Sequence, residues 1–357
     1  MRQGLTVRIL GTTVVVSSIF AIAGCTHTPS NPESPDTADL SSSDPHARAD
    51  RDVERPDPTV SPSTSPTPTA AVPTAIASDT VTPSPTTPAP VIKPPQTNPT
   101  QTSSKTTGVP SGTKLTRYDG DLVITEAGKI IDSLEVRGSI SVRAPDVVIK
   151  NTRVIGVKAL KTGLVSSRST GLRIKDSEIY STHRNPDSNG IMGSNFSLDG
   201  VEIRDVVDQV HIHGAGNVTI KDSWLHSNVH YAKDPNWNGK PSHDDNVQIV
   251  SGSNIKISGN RMSGAKNAAV MITQDDGKVA NVLIEKNRLG NGGCSINISP
   301  GKNNPAISGL KVAKNSFDAT QSVRGCAIIG PRSYVGMAQG NYWLATGALA
   351  PMSDGGY

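Results

Sequence analysis

Six of the eight histidines in this 357-residue chain fall between His183 and His243, and two of them, His211 and His213, stand two residues apart. On an extended strand that spacing puts both rings on one face, about 7 Å from each other. An unperturbed imidazole changes charge near neutral pH, so such a pair can take or give a proton with little tuning. Further along, His243-Asp244-Asp245-Asn246-Val247-Gln248 is the densest group of acids, bases and amides in the chain. Adjacent carboxylates can deliver a proton or activate water. His211, His213, Asp244, Asp245 and Gln248 are therefore the candidate catalytic residues.

What positions them is a repeat. An apolar-x-apolar triplet followed five residues later by another apolar residue recurs eight times. It runs from Val147-Val-Ile149…Val154 through Leu172-Arg-Ile174…Ile179 and Val218-Thr-Ile220…Leu225 to a weaker Val335-Gly-Met337…Tyr342. The centres are 25, 24, 22, 37, 27, 28 and 25 residues apart. A period of this size marks stacked supersecondary units, and the two-residue alternation inside each unit marks strands. The expected fold is all-β: a single-stranded right-handed parallel β-helix of about 8–9 coils, preceded by a disordered linker. Asn260, Asn287, Asn315 and Asn341 share one position and are expected to form a hydrogen-bonded ladder at a corner, where Asn tolerates the left-handed backbone of a tight turn. In earlier coils Thr152, Ser177, Val201 and Ser223 hold that place, so the ladder is partial. Gly156, Gly190, Gly214 and Gly252 are read as other corners.

A second strand precedes the first in most coils, and aligning these strands on the period places Val210, Val247, Val270 and Ile296 in one inward column. Ile212, Ile249, Ile272 and Ile298 form the next. The residues between them must face outward: Gln209, His211 and His213, then Asn246 and Gln248, then Met271 and Thr273, then Asn297 and Ser299. His211 and Gln248 become neighbours across coils, and the row is a candidate binding strip. Asp208 and Asp245 have inward parity, which leaves open that they cap backbone N–H groups at a corner. The one stretched interval, 37 residues, inserts a loop over Ser227–Ser242 directly before this strip. Its Tyr231 and Trp237 either stack on a sugar ring or pack the loop down. Asp187, Asp208, Gln209, Tyr231, Trp237, His243, Asn246 and Asn297 are the candidate substrate-binding residues.

From Gly112 to about Trp343 the chain resembles the right-handed parallel β-helix proteins of the pectate-lyase-like superfamily, in particular an exported actinobacterial group. The residues that carry the resemblance are Asp187-Ser-Asn-Gly-Ile-Met-Gly-Ser-Asn-Phe196, Val207-Asp-Gln-Val-His-Ile-His-Gly214 and Ser242-His-Asp-Asp-Asn-Val-Gln-Ile249. Asp244-Asp245 also resembles the Asp-Asp pair of polygalacturonase-type hydrolases, where such carboxylates provide the acid and activate water. The other hydrolase signatures are absent, and Ser188-Asn189-Gly190 stands where the hydrolases have Asn-Thr-Asp. The resemblance implies a carbohydrate-active protein that cleaves an extracellular or cell-wall polysaccharide, with β-elimination placed ahead of hydrolysis. A non-catalytic glycan-binding protein or adhesin is the alternative. For elimination, Gln248, Asn246 or a bound cation would neutralise a uronate carboxylate, and a neutral histidine would act as base. Ca²⁺, which lyases of this fold often use, could be held by Asp187, Asp244 and Asp275-Asp276. A transition metal could sit on His211 and His213 with Asp244 or His243. Asp275-Asp276-Gly277 also reads as a simple turn.

The remaining segments place the protein. Residues 1–25 read as an export signal: Arg2 and Arg8 precede the apolar stretch Ile9–Ala23, too short for a comfortable span. Its end, Ile22-Ala23-Gly24-Cys25, resembles the bacterial lipobox, which implies a lipid on Cys25 and anchoring to the outer face of the cell membrane. An ordinary signal peptide with a chance cysteine is the other reading. Residues 26–112 hold 18 of the 26 prolines and no aromatic residue, too little apolar surface to offset ordering. Residues 113–357 are the expected β-helix domain. Cys294 and Cys326 occupy equivalent places in consecutive coils, within disulfide range if the coils stack, as an oxidising compartment allows. Two free thiols are the alternative. The net charge of +4, with no basic block, argues against nucleic acid and weakly favours an anionic glycan. A monomer is expected.

Overall fold

The computed structural model describes residues 106–355 apart from 300–305, 332 and 334–336. The export segment, Cys25 and the linker up to residue 105 lie outside the described residues. The rest forms three parallel sheets of ten, ten and nine strands, each pairing only with its counterparts one coil before and one coil after. That is a parallel β-helix, and right-handed crossovers are the rule for such connections. Each coil contributes one strand to the first sheet, then the second, then the third.

The eight repeat units are eight of the nine strands of the third sheet with the first-sheet strands that follow them. Ile149, Ile174, Leu198, Ile220, Ile257, Ile284 and Val312 pair in one continuous inward column. Val154, Ile179, Ile203, Leu225, Met262, Leu289 and Phe317 make the first-sheet column. The weak final unit is shifted by one: Ala338 pairs with Val312, and Trp343 rather than Tyr342 faces Phe317. The Phe317 and Trp343 rings meet edge to face at 6.1 Å. At the other end one more coil, Thr116–Asp119, Leu122–Ile124 and Ile130–Asp132, precedes the units visible in the pattern. The chain joins the body before residue 113, because buried Gly108 donates its N–H to Gly200 O at 2.9 Å. A Cβ there would stand 3.0 Å from Glu202 Oε2 and 3.1 Å from Glu178 Cγ.

The corner ladder is present and fully buried. Asn260, Asn287 and Asn315 each donate Nδ2–H to the Oδ1 of the next Asn at 3.0 Å, and each gives its backbone N–H to the same oxygen at 2.9–3.0 Å. Their Nδ2 groups also donate to the carbonyls of Ile220, Ile257 and Ile284. Ser223 and Ser177 continue the ladder through their hydroxyls, and Val201 interrupts it. The left-handed residue is not the Asn itself. It is the residue before each rung, as at Asn151, Asp176, Gly200, Asp222, Gly259, Lys286, Lys314 and Gly340. That residue turns the chain, and the ladder side chain then caps what the turn exposes. A second, exposed Asn ladder, Asn195, Asn217, Asn254 and Asn281, occupies the corner between the second and third sheets. Gly156 and Gly190 lie inside strands rather than at corners. At Gly190 a Cβ would come within 2.5 Å of Gln209 O.

The two ladders differ in burial, so they should differ in energy. Asn287→Ala strips buried backbone groups of partners and is expected to cost about 3–5 kcal/mol. Asn254→Ala, where water can replace the lost bond, should cost under about 1 kcal/mol. Denaturant unfolding of both variants checks the contrast, and equal losses would show that ladder burial is not what matters.

Candidate functional site

The second sheet carries the candidate residues. Its inward columns pair as expected, Val210 with Val247, Val270 and Ile296, and Ile212 with Ile249, Ile272 and Ile298. Between them Ser166, Met192, His211, Gln248, Met271 and Asn297 form an outward row, one per coil. Two residues further on, Arg143, Arg168, His213 and Thr273 each donate a backbone N–H to the preceding coil, which sets them in a parallel row. Rings of His211 and His213 lie edge to face at 6.1 Å. His213 is held below its ordinary pKa by burial and by the neighbouring His211. Gln248 Oε1 and Thr273 Oγ1 are buried without a hydrogen-bond partner among the described residues. Arg143 and Arg168 are exposed and have no carboxylate partner among the described residues.

Two residues expected in this strip are not part of it. Gln209 and Asn246 are both fully buried. Gln209 Nε2 donates to His226 O at 3.0 Å, and Asn246 Nδ2 donates to Gln209 Oε1 at 2.9 Å and to Asn228 Oδ1 at 2.8 Å. They sit at the second position of their strands, Asp208–Ile212 and Asp245–Ile249, where their amides bond back to the chain arriving from the first sheet, at His226 O and Leu225 O. There they fasten Asn228, the root of the inserted loop, which also donates to the carbonyls of Val207 and Asp245.

The carboxylates lie behind the strip. Asp208 is 1 % exposed, and Asp244 and Asp245 are 0 % exposed. Asp208 Oδ1 accepts the Asp245 N–H at 2.9 Å, the corner cap that its inward parity allowed. Its Oδ2 lies 3.4 Å from His211 Nδ1, a loose contact with a ring that is 12 % exposed. Asp245 Oδ1 accepts from Asn267 Nδ2 at 2.9 Å, while Oδ2 has no partner among the described residues.

The inserted loop closes over this cluster. Tyr231 and Ser242 tie its two sides together, N–H to Oγ at 2.9 Å and O to N–H at 2.8 Å. A short 3₁₀ turn, Pro235–Trp237, is capped by Asp234. From that turn Asn236 Nδ2 reaches Asp187 Oδ1 at 2.8 Å, so Asp187 is engaged in holding the loop. Trp237 stacks on the His243 ring at 3.7 Å, and Tyr231 is half-buried. The Trp237 ring thus packs against the end of its own loop. A residue that spacing did not single out is central here: His230 Nδ1 meets Asp244 Oδ1 at 2.6 Å. Only the folded loop brings them together, since 14 residues separate them. Ser242 Oγ and the Lys266 N–H also donate to Asp244, at 3.2 and 2.7 Å.

The expected metal sets are not assembled. Asp244 is turned to His230 and Asp187 to Asn236, and no group of three or more His, Cys, Asp or Glu among the described residues could hold one ion. Asp275-Asp276-Gly277 is a turn, with the Gly277 N–H on Gln274 O. Cys294 and Cys326 form the disulfide between consecutive coils.

Burial raises Asp245 well above the ordinary carboxylate range, and the nearby charges of Asp208 and Asp244 add to it. Asp244 is raised too, by burial that outweighs its three donors. A carboxyl that binds its proton more tightly when folded adds stability in acid. That contribution is lost as pH rises from the unfolded value through the raised folded value. Asp245→Asn should therefore raise Tm at pH 8 by about 4 °C, the worth of 1–2 kcal/mol in a body of this size. Near pH 4 the gain should vanish. Thermal melts at the two pH values check this, and an equal shift at both would rule out a titrating Asp245.

The fold and site together define a parallel β-helix protein with a histidine–carboxylate cluster under an inserted loop. No protein-family model matches the chain, and no curated protein does. Among solved structures it is similar to the catalytic unit of a thermostable GH87 alpha-1,3-glucanase from Streptomyces thermodiastaticus strain HF3-3. Identity is 12 %, the match covers 65 % of this chain and 49 % of that one, and the TM-score is 0.31.

Proposed function

We propose that the protein binds an acidic extracellular or cell-wall polysaccharide along the outward rows of its second sheet and cleaves it by β-elimination. The observation that carries this reading is that His211 is the partly exposed end of a buried carboxylate cluster. Backed by Asp208 on Nδ1, its ring offers Nε2 as a base for the proton α to a uronate carboxylate. Arg168, His213 and the Gln248 amide lie in the same or the adjoining row, where they suit that carboxylate. Hydrolysis by a carboxylate pair needs both acids at the glycosidic bond, whereas Asp208, Asp244 and Asp245 are closed off from the surface. The chain would stand off the outer face of the cell membrane as a monomer, on residues 26–112, through a lipid on Cys25. Binding without cleavage is the second reading, favoured by the two methionines, Met192 and Met271, that flank His211 and Gln248 in the row.

The full chain, incubated with polyuronates and neutral glucans, is expected to release ultraviolet-absorbing unsaturated uronate from the former. His211→Ala should lower that rate by about 10²–10⁴-fold and leave glycan retention in affinity gels intact. Reducing ends without unsaturated product would replace elimination by hydrolysis, and retention without either product would leave binding alone.

A further inference from the structure

β-Elimination requires an acid for the departing oxygen as well as a base, and the structure holds a second imidazole in a comparable setting. His230 lies in the inserted loop with its side chain 31 % exposed, while its Asp244 partner is 0 % exposed. Asp244 accepts from His230, Ser242 and Lys266, so its orientation is set from three sides. With Asp244 ionised, Nδ1 of His230 carries the proton it donates. Both contacts of the ring fall on Nδ1, so Nε2, on the opposite edge of a partly exposed side chain, meets no hydrogen-bond partner among the described residues.

The two imidazoles hang from one carboxylate cluster. His211 contacts Asp208, Asp208 caps the Asp245 N–H, and Asp245 is bonded in sequence to Asp244, which holds His230. A clamp for the loop would not need this arrangement. Tyr231 and Ser242 already close the loop, and Asn236 already ties its tip to Asp187. A buried carboxylate spent on a partly exposed imidazole is costly as a structural link. It is the usual means of fixing a ring's tautomer and direction for proton transfer.

We propose that His230 is a catalytic residue, the general acid that complements His211 at the same site, with Asp244 as its positioning residue. This rests on the elimination reading above. His211 Nε2 takes the α-proton, and the C–H electron pair becomes the new carbon–carbon double bond. The C–O bond breaks with its pair on the departing oxygen, which takes the Nε2 proton of a protonated His230. His211 ends protonated and His230 neutral, and exchange with solvent restores both.

The test compares two substrates. One is a polyuronate. The other is a uronide carrying fluoride in place of the departing sugar oxygen, which leaves without a proton. His230→Gln keeps a donor for Asp244 but cannot deliver a proton. It should lower kcat on the polyuronate by about 10²–10⁴-fold and lose at most a few-fold on the fluoride. His211→Ala should lose heavily on both. An equal large loss of His230→Gln on both substrates, or no loss on either, overturns the assignment while elimination stands. No unsaturated product from the wild-type chain with either substrate overturns elimination, and the acid role with it. Circular dichroism melts of His230→Gln establish that the folded protein is what is assayed.

Discussion

Every strand here hydrogen-bonds only to its copies in the adjoining coils, so no coil is stable alone. This dependence on the neighbour governs the rest of the structure. It forces side chains of like kind to superpose, because an inward residue in one coil rests on the inward residue of the next. Apolar columns follow, as do the Asn ladders that satisfy backbone groups at the corners. An unpaired polar group in such a place costs more than a hydrogen bond returns, and the buried ladder amides are paired from coil to coil. The one break is Val201, whose side chain offers no acceptor to the preceding rung, although its own N–H still reaches Ser223 Oγ.

The same stacking makes a site possible. Identical coils would produce a uniform surface, and the outward rows begin as just that. Between the first-sheet strand Trp224–His226 and the second-sheet strand Asp245–Ile249 the chain departs from the stack and returns. The return places two consecutive carboxylates at a corner already occupied by Asp208. Burial there, and then the nearby carboxylates, raise Asp245 above the ordinary carboxylate range. Imidazoles stand at the two ends of the cluster, where solvent begins.

The inward columns were legible because they obey one rule at one period, and the predicted pairings of Val210 with Val247 and of His211 with Gln248 are those found. The disulfide was legible for the same reason: equivalent positions in a stack are neighbours. Gln209 and Asn246 show where the rule ends. Their parity is outward, yet next to a corner the outward face of a strand is covered by the chain that enters it. Parity speaks of the sheet alone, so it could not reveal this cover. The left-handed residue one step before each ladder Asn was also out of reach, because Asn, Asp, Gly and Lys all serve there.

What the sequence by itself determined is the stack: strands, inward columns, ladder and the single place where the rhythm fails. Those features are periodic, and a period is visible without coordinates. What only the tertiary structure decided is which of the clustered polar residues meet. His230 and Asp244 are joined by the path of an aperiodic loop, and Asp187 is drawn to Asn236 across 49 residues. Such contacts depend on loop closure and burial, which carry no repeat in the sequence to announce them.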